Sequence, residues 1–245
     1  MRLNLLGPLE LRDAGGAEVP VSGHKRRALL ATLAVCANHA VGVSRLTAEL
    51  WGDTPPANAA NALQAHVARL RKAVEVASGE ADRIVTSPPG YTLVLHHNET
   101  DAEEFRSALA GARALPPAAA IPALRVALGV WRGPALEGCV SGDICVAEAA
   151  ALEESRLAAM EALYDACLRT GRHAEVIVEL ARVCTAYPLR ERFYDQWMDA
   201  LCRSGRHTEA LAVYERAARE LRAELGLAPG PELRARAGTA ARRAS

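Results

Sequence analysis

The sequence has no long apolar run and no CxxC pair of cysteines, and these two absences exclude several classes of protein. No uninterrupted apolar stretch approaches the ~18 residues that a membrane span needs. Residues 1–10 carry one arginine and a short apolar stretch broken by Asn4, Gly7 and Pro8, without a cleavage pattern, which is not typical of a signal peptide. We therefore expect a cytoplasmic protein without membrane contact, whose cysteines stay reduced.

The chain also lacks the motifs of the common enzyme classes. Its only two lysines are Lys25 and Lys72, and neither follows a glycine, so there is no GxxxxGK[ST] phosphate-binding loop. GxSxG, HExxH and zinc-finger spacings are missing too. Cys167, Cys184 and Cys202 fall on helical segments at positions suited to small buried side chains. The sequence predicts a protein that is not an enzyme and that needs no metal or cofactor.

The net charge of the chain is zero, so overall charge does not indicate a nucleic acid partner. Residues 1–95 hold ten Lys and Arg against eight Asp and Glu, and the remainder holds 19 against 21. Because this difference is small, evidence for DNA binding has to come from the positions of the basic side chains.

The first ~95 residues alternate strand-like and helix-like patterns, which are read from the period of the apolar residues. Ser22 is the predicted N-cap of the first helix. Turn residues, Gly52 and the Pro55–Pro56 pair among them, separate the elements. The predicted elements are strands around Leu3–Leu5 and Leu9–Leu11, a strand at Glu18–Val21, a helix through Leu29–Cys36, helices at Ser44–Trp51 and Ala57–Val76, and a hairpin at Ile84–Leu95.

After Asp101 the sequence predicts helices broken by glycine and proline, with an internal repeat. The segment LRTGRHAE at 168–175 recurs in similar form as CRSGRHTE at 202–209. The offset between the two copies is 34 residues, from Gly171 to Gly205. That period is typical of tetratricopeptide-type (TPR) helix pairs, which bury their apolar faces by stacking on one another. The prediction is a mainly α fold with a small β component: a winged helix-turn-helix domain at 1–97 and a TPR-like domain at 98–245.

The third helix has two contrasting faces. Leu63, Val67, Leu70 and Val74 form one narrow stripe that the core must cover. The opposite face and its flanks carry small, amide and cationic side chains, namely Asn61, Gln64, Ala65, Ala68, Arg69, Arg71 and Lys72. Arg can bind guanine and Asn or Gln can bind adenine in the major groove, so this face is a candidate for reading DNA. An ordinary solvated helix face is the alternative.

Two neighbouring segments support the DNA-binding interpretation. Lys25, Arg26 and Arg27 crowd the first turn of the first helix, where cations oppose the helix dipole and nearby phosphates would offset the repulsion. Arg83 and Thr86 lie at the base of the hairpin, which is shaped like a wing. The order of helix, helix, recognition helix and hairpin is that of a winged helix.

These residues lead to a family resemblance that covers nearly the whole chain. The ordered set of motifs is GHKRRALL (23–30), LWG (50–52), PP (55–56), LQAHVARLRK (63–72), PGYTL (89–93), WRGPAL (131–136), PLRE (188–191), GRH (205–207) and LGLAPGPEL (225–233). The chain resembles the antibiotic regulatory protein (SARP) family of actinobacterial transcriptional activators. Their first half is similar to the OmpR/PhoB-type winged helix, and their second half is a bacterial transcriptional activation domain.

The resemblance implies roles for individual residues. Arg69 and Arg71 look like the recognition-helix arginines of this class, and His66 and Lys72 match neighbouring basic positions. Ala68 departs from relatives that place a basic or hydroxyl residue there, which puts a contact at that step in doubt. The wing turn has PPGY, ending at Tyr91, where many relatives have GGY. The DNA-binding set is therefore Lys25, Arg26, Arg27, Asn61, Gln64, His66, Arg69, Arg71, Lys72, Arg83, Thr86 and Tyr91.

The resemblance also implies a function. We expect activation of a secondary-metabolite gene cluster by a nucleoid-associated dimer that binds direct repeats of double-stranded DNA near the promoter and recruits RNA polymerase. No nucleotide-binding module follows the repeats, so the chain looks like the short, stand-alone form of the family. Two alternatives stay open: a helical-repeat adaptor that does not read DNA, and a DNA-binding repressor.

Overall fold

The computed structural model describes residues 1–244, and it confirms the predicted mainly helical fold with a small β component. The elements divide into two compact units. Unit 1 comprises Met1–Leu109 and Val126–Leu157, and unit 2 comprises Ala110–Arg125 and the described residues from Ala158 onward. In this described part of the chain, no helix has both the length and the apolar character needed to cross a membrane.

The first eight elements build a winged helix within unit 1. They are β1 (Arg2–Asn4), β2 (Glu10–Arg12), α1 (His24–Val35), β3 (Val41–Gly42), α2 (Val43–Trp51), α3 (Ala59–Ser78), β4 (Ile84–Ser87) and β5 (Gly90–Leu93). β1 pairs antiparallel with β2, and a second antiparallel sheet has the order β3–β5–β4. The β4–β5 hairpin confirms the predicted wing.

The core of the winged helix is formed by the apolar faces of its three helices. Leu63, Val67, Leu70 and Val74 are each 1 % exposed, which confirms the predicted buried stripe of α3. The Asn58 side chain caps the start of α3 by accepting the N–H of Asn61 at 3.2 Å. The outer face of α3 is thereby held on a rigid element.

Two local predictions for the N-terminal region are wrong. Ser22 does not cap α1, because the N-cap position is Gly23, whose φ of 94° lies in the left-handed region that favours glycine. The predicted strand at Glu18–Val21 is reduced to a single bridge between Arg12 and Glu18. Pro20 has no N–H for a further ladder bond, which limits pairing there.

Unit 1 also contains chain that follows the winged helix in sequence. The Asp101 carboxylate, at the start of α4, accepts the N–H groups of Leu5 and Leu6 at 2.6 and 3.0 Å. Arg132 donates its N–H to Leu6 O at 2.8 Å, and Leu136 donates to Leu5 O at 2.7 Å. The segment between β1 and β2 is therefore bound on both sides by residues beyond position 100.

Glu49 makes a second connection of this kind. Its buried side chain, on α2, accepts the N–H of Ile144 at 3.1 and 3.2 Å, and so caps the first turn of α6. A Cβ at Gly142 would lie 2.6 Å from the Cα of Glu49, so only glycine fits this close approach. The predicted DNA-binding part and the start of α6 thus share one compact unit.

The remaining elements are helices, and they carry the repeat. They are α4 (Asp101–Arg113), α5 (Pro117–Gly129), α6 (Asp143–Arg169), α7 (His173–Ala186), α8 (Glu191–Arg203), α9 (His207–Leu225) and α10 (Pro231–Ala244). Gly171 and Gly205 have positive φ of 77° and 74°, and each precedes a helix. After each glycine an arginine bonds a glutamate three residues later, in the pairs Arg172–Glu175 and Arg206–Glu209. The 34-residue repeat predicted from the sequence is confirmed.

Candidate nucleic-acid interface

The outer face of α3 presents polar side chains that have no partner in the described part of the chain. Asn61, Gln64, Arg69 and Lys72 are exposed. Within residues 1–244, the side chains of Gln64, Arg69 and Lys72 make no hydrogen bond and no ion pair. Ala65 and Ala68 are exposed between them and leave the centre of the face flat. An exposed helix with free donors around a flat centre can approach the edges of bases.

The three basic residues at the start of α1 have different environments. The Lys25 ammonium donates to the backbone carbonyl of Leu50. Arg27 is half-buried, and its guanidinium points toward Leu9 O at 3.4 Å. Arg26 has no hydrogen-bond partner among the described residues, and its guanidinium lies beside the backbone of Gly23. Only Arg26 of the three has all its donors available to a ligand.

His66 lies where the positive charges of α1 and α3 meet. Its ring centroid is 6.1 Å from that of Trp51, and its Nδ1 is buried without a hydrogen-bond partner in the described chain. Burial lowers the pKa of His66 below its ordinary value of 6.5, and the nearby cations Arg26, Arg69 and Lys25 lower it further. We call these three side chains the cationic cluster. These three cations, together with burial, oppose protonation of the same imidazole.

The titration of His66 gives a test of this cluster. We expect the imidazole of the free protein to titrate below pH 6.5 by NMR, because both burial and the cations oppose its protonation. Arg69→Ala should raise the His66 pKa by removing one cation, whereas Lys72→Ala should leave it nearly unchanged because Lys72 does not contribute to the shift. Equal changes in the His66 pKa in the two variants would contradict the assignment of Arg69, and not Lys72, to the cationic cluster.

Arg71 points toward the wing. Its Nε donates to Ile84 O at 2.9 Å, and its Nη2 donates to Thr86 Oγ1 at 2.7 Å. The guanidinium carbon also lies 5.9 Å from the centroid of the Tyr91 ring. Tyr91 is 7 % exposed, so its ring forms part of the support beneath the wing.

Arg83 is buried at the base of the wing. Its side chain is 4 % exposed, and its Nη2 donates to both carboxylate oxygens of Glu99. The same carboxylate accepts the N–H of His96 at 2.7 Å. This pair has no signal in the sequence, because no local pattern links Arg83 to an acidic residue 16 positions later. In this structure the Arg83 guanidinium is not on the outer surface of the wing.

The cysteines of the described residues are all free thiols. Cys167 and Cys184 are buried and Cys202 is half-buried, so all three lie on helices at least partly covered by other residues. Burial raises the pKa of Cys145 to about 11 and that of Cys184 to about 12, which keeps both thiols protonated at neutral pH. Across residues 1–244, no three His, Cys, Asp or Glu side chains are grouped as metal ligands would be.

Two family models match the chain and together cover most of it. Residues 100–239 match the bacterial transcriptional activator domain. Residues 17–93 match the model described as "transcriptional regulatory protein, C terminal". The second match includes α1, α3 and the wing, and hence the exposed face of α3 and the cationic cluster.

Similar full-length proteins and a solved structure are also found. The chain is 42 % identical over 242 residues to the transcriptional regulator RedD of Streptomyces coelicolor, covering 96 % of this chain and 69 % of RedD. It is 37 % identical over 243 residues to the regulatory protein DnrI of Streptomyces peucetius, covering 95 % and 89 %. The structure of Mycobacterium tuberculosis EmbR in complex with a low-affinity phosphopeptide matches with a TM-score of 0.90 and 34 % identity, covering 99 % of this chain and 65 % of that one.

Proposed function

The chain belongs to the SARP family of transcriptional activators, and from this premise we propose that it activates a promoter by inserting α3 into the major groove of DNA. The observation that carries the proposal is the row of exposed donors on α3 that have no partner in residues 1–244, Gln64, Arg69 and Lys72. Such side chains lose little on binding, because no internal bond has to be broken before they contact DNA.

The contacts divide into two classes. Asn61, Gln64 and Arg69 lie on the exposed face and are assigned to base edges, where amide and guanidinium groups discriminate between base pairs. Lys72, with Lys25 and Arg26 of the cationic cluster, is assigned to phosphates. His66 lies next to this cluster and adds positive charge when it is protonated.

The wing has a smaller part in the proposed interface. Thr86 is exposed at the wing, and we propose that it lies near the DNA backbone. Arg27 and Arg83 are left out of the contact set, because their guanidinium groups bind protein groups below the surface. Tyr91 is also left out of the contact set, because its ring is almost fully covered by other residues.

The proposal extends to the assembly on DNA. A single module buries only ~600 to 1,000 Å² of protein surface, so useful affinity favours two copies on direct repeats. Residues 1–97 are proposed to carry the DNA contacts, and residues 98–245 the contacts to RNA polymerase. The target is proposed to be a promoter of a secondary-metabolite gene cluster, with the protein acting in the cytoplasm on the nucleoid.

Arg69→Ala and Lys72→Ala should weaken DNA binding in different ways. Loss of Arg69 removes a bidentate base contact and should cost about 1 to 3 kcal/mol on the preferred sequence, with relaxed preference at that position. Loss of Lys72 should weaken all sequences alike and reduce the slope of log K against log salt by about one unit. Fluorescence anisotropy on specific and scrambled duplexes over a salt series measures both effects.

The matched control is Glu75→Ala, which is on the same helix and is also exposed. Removing this carboxylate should not weaken binding, because it would repel the DNA backbone. The first experiment is selection of bound fragments from genomic DNA by the purified protein, with Arg69→Ala in parallel. Failure of the intact protein to enrich any fragment would favour the adaptor function, and reduced transcription from an enriched promoter would favour a repressor.

A further inference from the structure

The wing has a free edge, and the third helix supplies its partner. β4 is the outer strand of the order β3–β5–β4. Val94 N–H donates to Arg83 O at 2.8 Å, and because bonded and non-bonded pairs alternate in an antiparallel ladder, the carbonyl of Ile84 faces away from β5. That carbonyl accepts the Nε of Arg71 at 2.9 Å.

We propose that Arg71 is a positioning residue that holds the wing against α3, rather than a contact to DNA phosphate. The inference rests on the proposed function, since it concerns how the surface that meets DNA is held together. The guanidinium is a rigid fork of donors, and here two of its nitrogens bind β4, at Ile84 O and Thr86 Oγ1. The Tyr91 ring, below the guanidinium, supports the same arrangement.

The wing needs such a support because its own pairing is short. β4 and β5 have four residues each, and β3 adds only Val41–Gly42 on the far side. Isolated two-stranded hairpins have marginal stability in water. A bond from the recognition helix to the free edge therefore sets the position of Thr86 relative to Arg69 and Lys72.

The two roles for Arg71 predict different results on substitution. As a positioning residue, Arg71→Ala weakens binding about tenfold, the equivalent of one hydrogen bond to a charged donor, and leaves the salt slope unchanged. Arg71→Lys does not restore binding, because a single ammonium cannot reproduce the fork that spans Ile84 O and Thr86 Oγ1. A phosphate contact would instead lose about one unit of slope with Ala and be largely restored by Lys.

A double-mutant cycle isolates the contact. The cycle is read from hydrogen exchange of the DNA-free chain: Thr86→Val removes the acceptor hydroxyl, and combined with Arg71→Ala it should speed exchange of the β4–β5 amides no more than Arg71→Ala alone. Thr92→Val is the matched control: its hydroxyl bonds Ser87 in the same hairpin at 2.9 Å without contacting Arg71. The effects of Thr92→Val and Arg71→Ala should therefore add.

Hydrogen exchange of the DNA-free full chain keeps this proposal separate from the proposed function. Arg71→Ala should speed exchange of the β4–β5 amides several-fold, whether or not the protein binds DNA. Binding is then measured on a duplex enriched by the intact protein. No binding by the intact protein would overturn the proposed function alone. Unchanged exchange, additive Thr86→Val and Arg71→Ala effects, or a reduced salt slope restored by Arg71→Lys would each overturn the role assigned to Arg71.

Discussion

Arg83→Ala should lower the free energy of unfolding of unit 1 by about 3 to 5 kcal/mol, as expected when one partner of a buried ion pair is removed. The carboxylate of Glu99 would keep only the N–H of His96 and the N-terminal ammonium, which is 3.5 Å away. A carboxylate left in this covered position has lost its water and keeps only the more distant ammonium as a counter-charge. The expected loss is a large fraction of the 5 to 15 kcal/mol typical of a domain.

Urea unfolding followed by tryptophan fluorescence measures this loss, in a Trp197→Phe background that restricts the signal to Trp51 and Trp131 of unit 1. Replacing both partners, in Arg83→Met with Glu99→Leu, should recover part of the stability, because no buried carboxylate is left without Arg83 and, of the buried charges, only the N-terminal ammonium loses its partner. Arg106→Ala is the control, since its pair with Glu148 is half exposed and worth less than about 1 kcal/mol. Unchanged stability of Arg83→Ala with weakened, less salt-dependent DNA binding would instead support the DNA contact expected from the sequence.

Gly90→Ala should destabilise the sheet that carries the wing by about 3 kcal/mol or more, the upper end of the range for overpacked sites. A Cβ at this position would lie 1.9 Å from Val41 O and 2.9 Å from the Cα of Gly42. Both are backbone atoms and cannot rotate away, so β3 and β5 would have to separate. The separation would displace the wing from its position beside α3.

Gly111→Ala is the matched control for this substitution. Gly111 lies inside α4, and a Cβ there would meet nothing within 4 Å. Alanine is favoured over glycine in a helix by roughly 0.5 to 1 kcal/mol, so this variant should be neutral or more stable. Thermal unfolding compares the two variants, and a Gly90→Ala midpoint equal to that of Gly111→Ala would contradict the predicted backbone clash.

The elements set by local periodicity could be predicted from the sequence. The buried stripe of α3 and the exposure of Gln64, Arg69 and Lys72 follow from the 3.6-residue period alone. The 34-residue repeat was recognisable because its two copies share a turn glycine and an Arg–Glu pair. The residue at which a helix begins is less predictable, since the N-cap of α1 is Gly23 and not Ser22.

The ends of long side chains could not be predicted, because their partners are distant in sequence. Arg71 and Arg83 were both placed on the DNA-facing surface from charge and position. The structure pairs Arg71 with Ile84 and Thr86, and it pairs Arg83 with Glu99. An arginine side chain is long enough to lie along an apolar surface and reach an acceptor on another element. The position of the residue on a helix or strand therefore does not determine the position of its guanidinium group.

The shared packing within unit 1 bears on how such regulators diverge. The two family models meet between residues 93 and 100, which suggests modules that recombination could exchange freely. Yet Leu5 is bound to Asp101 and Glu49 is bound to Ile144, across that junction. A chimera joined at the junction would inherit each member of these pairs from a different parent. New combinations of target site and activating half are therefore expected to survive mainly when both parents carry matching residues at these positions.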